Sequence, residues 1–320
     1  MKKLILILFI FIHFICHAEY DSTYVLSVTQ KYAIPENVSN GDYAGTWMKT
    51  LTWKSVGTIS FEIEQNYNGA FSVNSSSGLI TISDATKING KVVQQDTLIN
   101  LVIRTTDSGE GYELDTAKIW VKENAYCHFY DFAGSGAGTR ADPDNYLPTG
   151  AKQLGHGYFM KRGVTFLNGG TVTFSSHIAS ETHPTIVAAY GAGTKPMMRS
   201  TDDSESSIGF TLGTYITFPY DTDSSLRAEN IRFYDLHMQY YYASTIRGNM
   251  PSSHFGFYNM DITNCNRRGT DDAFKFYDRA YDDSTWYMPS EMISMRLILQ
   301  IVQVSVRVQT KHTLNGAQDH

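Results

Sequence analysis

Three cysteines in 320 residues are too few for a disulfide-stapled scaffold, and they exclude a four-cysteine zinc site. With 8 prolines and 25 glycines the chain is neither collagen-like nor linker material. Charged residues make up only 18%, and the net charge of -6 with a pI near 5.9 leaves no basic footprint for nucleic acid. No His-Glu-x-x-His, His-x-His or Cys-x-x-Cys spacing occurs, which argues against zinc. No Gly-x-Ser-x-Gly elbow supports a serine hydrolase, and no Gly-Lys-Ser/Thr follows the glycine-rich stretch Phe132–Thr139, so phosphate cradling fails. Helical periodicity is absent, and no apolar run beyond the first 18 residues is long enough to span a bilayer. What is abundant is aromatic: 13% of the chain, with 21 Tyr and 17 Phe, a composition suited to pleated strands. The length favours two domains.

The first segment has the organisation of a secretory signal. Met1-Lys2-Lys3 is basic, Leu4 to Phe11 is unbroken apolar sequence, and Cys16-His17-Ala18 offers small residues at a cleavage site before Glu19. About 15 apolar residues are fewer than the ~20 a spanning helix needs, so a retained anchor is disfavoured. Export to the cell surface or the medium is expected, with residues 1–18 removed and no integral span remaining. Loss of Lys2 and Lys3 takes the net charge from -6 to -8. Cleavage also removes Cys16, leaving Cys127 and Cys265 either paired or as buried thiols.

From 24 to 123 the pattern has period two. Ile59-Ser60-Phe61-Glu62-Ile63, Phe71-Ser72-Val73, Ile80-Thr81-Ile82, Leu101-Val102-Ile103 and Ala117-Lys118-Ile119-Trp120-Val121 each alternate apolar and polar residues. Turn clusters separate them, among them Asn66-Tyr67-Asn68-Gly69, Ser75-Ser76-Ser77-Gly78 and Asp107-Ser108-Gly109. The spacing predicts a sandwich of about 100 residues.

In order, Ile34-Pro35-Glu36-Asn37, Gly45-Thr46, Phe71-Ser72-Val73 with Ser77-Gly78-Leu79-Ile80-Thr81, and Arg104-Thr105-Thr106-Asp107 resemble the successive signatures of a cadherin repeat. The resemblance covers roughly 24–123 and implies a Greek-key β-sandwich. It also implies calcium, a hard cation that needs 6–8 converging oxygens. Glu36 matches the family's first ligand, and Asp107 matches a recurrent acidic position. The sequence departs from the pattern elsewhere: Thr52-Trp53-Lys54 replaces Asp-x-Asp, no Leu-Asp-x-Glu stands near Asp84, and Lys122-Glu123-Asn124-Ala125 replaces the closing acidic motif. The implied fold is therefore better supported than the implied metal.

Residues 124–288 have a different texture of short strands and sharp corners. Phe233-Tyr234-Asp235-Leu236-His237-Met238 is echoed 24 residues later by Phe257-Tyr258-Asn259-Met260-Asp261-Ile262, and Phe274-Lys275-Phe276-Tyr277-Asp278 reads as a shorter third copy. A period of 20–30 residues is what stacked solenoid coils require. The Lys161-Arg162-Gly163-x-Thr165-Phe166 and Tyr190-Gly191-x-Gly193-x-x-Pro196 strings resemble the first coils of right-handed parallel β-helix proteins of the pectate-lyase-like class. The expected fold is thus all-β, a cadherin-like sandwich followed by an incomplete right-handed parallel β-helix. Residues 289–320 contain no aromatic, against a chain average of 13%, and read as an atypical tail, truncated or out of frame.

Arg267-Arg268-Gly269-Thr270-Asp271-Asp272-Ala273-Phe274-Lys275 places two carboxylates and three cations within nine positions. A lyase acting on acidic polysaccharides needs a cation to neutralise the sugar carboxylate and a base to remove the adjacent proton. Lys275 and Arg268 are the catalytic candidates, with Asp271 and Asp272 as calcium ligands. A solvated turn explains the same residues more simply. The expected function is accordingly an exported binding or adhesion protein, meeting a polysaccharide or cell-surface glycan on the β-helix or another protein through the sandwich. A polysaccharide lyase or other carbohydrate-active enzyme, such as a glycoside hydrolase, and a non-functional truncated fragment are the alternatives.

Overall fold

The computed structural model describes residues 30–47, 57–92, 95–109, 111–145, 152–168, 172–174, 177–200, 208–212, 228–241, 244–248, 255–263 and 274–276. The expectations for residues 1–18, Arg268, Asp271, Asp272, Cys265 and 289–320 lie outside these residues. The described chain is all-β: its only helical elements are two single 3-10 turns, Ala85–Lys87 and Asn124–Tyr126.

The first part contains β1 (Gln30–Pro35), β2 (Tyr43–Thr46), β3 (Ile59–Gln65), β4 (Phe71–Val73), β5 (Leu79–Ile82), β6 (Asp96–Asp107) and β7 (Gly111–Lys122). They form two sheets, ordered β1-β7-β6-β3 and β2-β5-β4. Pairing is antiparallel throughout except that β1 lies parallel to β7. The period-two expectation holds in β6, where Ile99, Leu101, Ile103, Thr105 and Asp107 are buried and the intervening residues are not. Tyr32, Ile34, Phe61, Phe71, Ile80, Ile82, Ile119 and Val121 complete the core between the sheets. Trp47 is wholly buried there, and its indole N–H donates to Thr105 Oγ1 at 3.0 Å, satisfying the one polar atom burial would otherwise strand.

The chain then runs through β8 (Cys127–Tyr130), β9 (Gly157–Lys161), β10 (Thr165–Asn168), β11 (Val172–Phe174), β12 (His177–Ile178), β13 (Thr185–Tyr190), β14 (Met197–Ser200) and β15 (Ile208–Leu212). It continues through β16 (Ala228–Glu229), β17 (Ile231–Tyr234), β18 (His237–Gln239), β19 (Ser244–Gly248), β20 (Gly256–Tyr258), β21 (Asp261–Thr263) and β22 (Phe274–Phe276). Three parallel sheets result, β20-β17-β13-β9-β8, β10-β14-β18-β21 and β11-β15-β19-β22, with a short fourth pair β12-β16. The chain visits the three larger sheets in the same order on each circuit. Tyr158, Met160, Phe166, Phe174, Val187, Met198, Phe233, Met238 and Phe257 fill the space they enclose.

The 24-residue echo is a stacking register: Phe233 pairs with Phe257, Tyr234 with Tyr258 and Met238 with Ile262. Phe233 and Phe257 stack at 5.3 Å between ring centroids, Tyr234 and Tyr258 at 4.7 Å. Asp235 and Asn259 follow these pairs with φ of 56° and 51°, a left-handed turn that short polar side chains tolerate. The third copy needs correction. Phe274–Phe276 pairs with Ile246–Gly248 in a different sheet, so it does not stack on Phe257. An aromatic–polar–aromatic triplet suits any strand with an apolar interior face, which is why sequence likeness misassigned it.

The sandwich covers the outer face of the first parallel sheet. Phe129, Phe159, Ile186, Ala188, Tyr190, Tyr234 and Tyr258 pack with Ala33, Trp120 and Cys127 into one apolar cluster. Cys127 is a free, half-buried thiol in this seam, donating towards Glu123 O at 3.3 Å, and burial pushes its pKa up.

Candidate functional site

Glu36 and Asp107 do not meet. Glu36 follows β1 beside Lys122, whereas Asp107 pairs with Gly111 at the other end of the same twelve-residue strand β7. At ~3.3 Å per residue the two positions are about 36 Å apart. Glu36 is buried, and its Oε1 and Oε2 accept the backbone N–H groups of Val92 (2.9 Å) and Asn124 (3.2 Å), tying the end of β1 to two neighbouring segments. Asp107 is buried, and its Oδ1 accepts the N–H of Gly109 at 2.9 Å within the β6–β7 turn. Among the described residues no group of three or more His, Cys, Asp or Glu is placed to hold a metal ion. Among the described residues, Glu36 and Asp107 do not converge on one cation position. Lys275 lies in β22 in register with Arg247 of β19.

The seam between the two parts concentrates charge that the sequence did not advertise. Arg162, just past β9, has a side chain only 2% exposed. Its guanidinium lies 3.4 Å from the centroid of the Tyr43 ring, and Nη2 stands 3.2 Å from Asp235 Oδ2. Nη2 and Nε have no hydrogen-bond partner, so the contact with Asp235 is ionic rather than an aligned N–H···O bond. Tyr43 OH donates to Asp235 Oδ1 at 3.2 Å, and Asn259 Nδ2 donates to the same oxygen. Lys195 Nζ continues the chain, donating to Asn259 Oδ1 at 3.1 Å and pairing with Asp261 at 3.0 Å. Burial, reinforced by the Asp235 charge, pushes the Tyr43 phenol well up, so it stays a neutral donor. Arg140 adds a second clasp, pairing with Asp42 at 2.6 Å and donating to Asn37 O at 2.5 Å. These bonds tie the sandwich to the parallel sheets.

The outer face of the second parallel sheet carries exposed and half-buried side chains. Phe166, Met198 and Met238 point inward, so alternation turns two rows outward: Thr165–Met197–His237–Asp261 and Leu167–Arg199–Gln239–Thr263. Leu167 is 52% exposed and Arg199 is exposed with its guanidinium 4.6 Å from the Tyr240 ring. His237 Nε2 and Thr263 Oγ1 are 2.7 Å apart, and Gln239 Nε2 donates to the same hydroxyl at 3.4 Å. Burial holds the His237 pKa below the ordinary value; Lys195 adds to this and Asp261 opposes it. The face thus offers a cation, an amide, a hydroxyl, an imidazole and an aromatic edge in strand-spaced rows. Among the described residues of these rows Asp261 is the one carboxylate. In the sequence His237 and Asp261 belong only to the two copies of the echo; their shared register is what makes them neighbours.

No protein-family model matches the chain, and no curated protein matches it. Among solved structures it is similar to Drosophila N-cadherin EC1-3, at 14% identity over 30% of this chain and 32% of that one, with a TM-score of 0.24. It is also similar to mouse clustered PcdhgC3 EC1-3 (16% identity, 29% and 30% covered, TM-score 0.23) and mouse Cadherin-23 EC22-24 (24%, 29% and 28%, 0.23). The chain spans about a third or less of these solved chains.

Proposed function

We propose that the protein is an exported binding protein in which a cadherin-like sandwich (24–123) is docked on a right-handed parallel β-helix (124–288) that meets an extended glycan. The single observation carrying this is the contrast between two outer faces of the parallel part. One is sealed by the sandwich, and the other presents Leu167, Arg199, Tyr240, Gln239, His237 and Thr263 to solvent. Parallel strands repeat at ~4.8 Å, so equivalent side chains recur along the face at a spacing close to one unit of an extended sugar chain. Arg199 suits an acidic sugar, and the Tyr240 ring edge beside it adds an apolar contact. The basic and apolar segment at 1–18 supports export, and no helix among the described residues is long and apolar enough to cross a membrane.

Binding to immobilised uronate-containing and neutral polysaccharides tests this. Retention on a uronate polymer, reduced about tenfold or more by Arg199→Ala and unchanged by Lys118→Ala on the sandwich, is expected; a change of this size is about 1.4 kcal/mol. No retention on any polymer, or retention indifferent to Arg199, would remove the proposal. The in-register cations Arg247 and Lys275 support polysaccharide lyase activity as a second reading. Unsaturated, ultraviolet-absorbing products lost in Lys275→Ala are its signature, and their absence across uronate polymers eliminates it.

A further inference from the structure

Asp96 and Lys122 begin β6 and end β7, and they face each other directly across the antiparallel pair. Their side chains are 1% and 0% exposed, and Lys122 Nζ lies 2.5 Å from Asp96 Oδ1. That oxygen has no hydrogen-bond partner, so the close approach is not an aligned N–H···O bond. The amine is held from behind: Nζ donates to Gly155 O at 2.6 Å and Pro184 O at 3.1 Å, both on the parallel part. The other carboxyl oxygen, Oδ2, faces His183 Nδ1 at 3.1 Å, and the His183 side chain is 38% exposed. A buried amine is thus pressed against a buried carboxyl group whose second oxygen has a proton carrier open to solvent.

We propose that Lys122 and Asp96 condense to an intramolecular amide cross-link, with His183 as the proton-transfer group. Burial favours the uncharged partners: it drives the Lys122 pKa down against the pull of Asp96, with Arg232 adding to the fall, and it drives the Asp96 pKa up against Lys122 and His183. Transfer of one proton from Nζ to the carboxylate, where it settles on Oδ2, leaves a neutral amine and a carboxylic acid. The nitrogen lone pair then forms a bond to Cγ, and the nitrogen passes its surplus proton to Oδ1. Oδ2 takes a proton from His183 and departs as water when its bond to Cγ breaks. Collapse of the remaining adduct to the amide carbonyl releases the Oδ1 proton and restores His183. One amide and one water form from one amine and one acid, without oxidant, reductant or co-reactant. The amide would join β6 to β7 at the point where the chain leaves the sandwich for the parallel sheets.

The test is the denatured mass of the full chain and of its proteolytic peptides. The wild type should be lighter than its sequence by one water molecule, and trypsin should yield a branched peptide joining the segments around Asp96 and Lys122. Asp96→Ala should restore the full mass. Lys122→Arg, which keeps a cation opposite Asp96 but has no nucleophilic amine, should restore it in a chain that still folds. His183→Ala should leave a substantial unlinked fraction that converts slowly. A wild-type chain at its full sequence mass with no branched peptide overturns the cross-link. A cross-link formed equally fast without His183 overturns the assignment of that residue.

Discussion

Arg162→Ala tests whether the seam is part of the folded core. The substitution leaves the Asp235 carboxylate 5% exposed, with hydrogen bonds from Tyr43 and Asn259 but no cation beside it. Removing one partner of a buried ion pair costs about 3–5 kcal/mol, because the remaining charge stays desolvated. The Tyr43 ring also loses the guanidinium stacked on it. For a protein of this size ~1 kcal/mol shifts the midpoint by about 2–4 °C, so a fall of about 6–20 °C is expected. The double variant Arg162→Met, Asp235→Asn removes both charges while keeping the volume filled, and it should recover most of that loss. Thermal unfolding followed by circular dichroism and by tryptophan emission is the assay. Trp47 and Trp120 report on the sandwich and on the seam, so both signals should move together in one transition. A fall below about 2 °C in Arg162→Ala, a double variant as damaged as the single one, or two separate transitions would refute the reasoning.

His156 sits beside His128, with Nδ1 3.0 Å from its Nε2, and burial, then the neighbouring His128, lowers its pKa from 6.5 to about 4. The unfolded chain therefore binds a proton that the folded one refuses. Stability is complete above pH about 6.5, declines as pH falls towards 4 and levels off below, and urea titrations of His156→Gln should show a shallower decline. A Cβ on Gly57 would overlap the Asp107 carboxylate, Ser108 Oγ and the Gly109 backbone, so Gly57→Ala should cost about 1–3 kcal/mol in chemical denaturation. Glu36 engages backbone N–H groups with both carboxylate oxygens, so the melting midpoint should be the same in Ca²⁺ and in EDTA. A rise in Ca²⁺ that disappears in Glu36→Ala would show that the carboxylate binds the ion instead.

Local patterns were legible because strands write themselves into sequence at period two. β6 alternates as its residues predict, and the Phe233/Phe257 echo appears in the structure as a stacked pair. Long-range polar partners leave no such trace. Tyr43 and Asp235 are 192 residues apart, and Asn259 and Tyr43 are 216 apart, so nothing in either neighbourhood marks them as one network. Lys122 stands where the resemblance expects the closing acidic motif, and its amine is buried against the Gly155 and Pro184 carbonyls, 33 and 62 residues away. Glu36, which its motif likens to a calcium ligand, accepts two backbone N–H groups from segments remote in the chain, a contact that leaves no trace in the sequence.

The sequence by itself determined that the chain is built of strands and that its second part repeats, since alternation and echo act between near neighbours and depend on side-chain type alone. Which outer face is sealed, which carboxylates lose their water and which amine is pressed against an acid were decided only by tertiary structure. Burial and distance set those outcomes, and both arise when segments remote in the chain pack together.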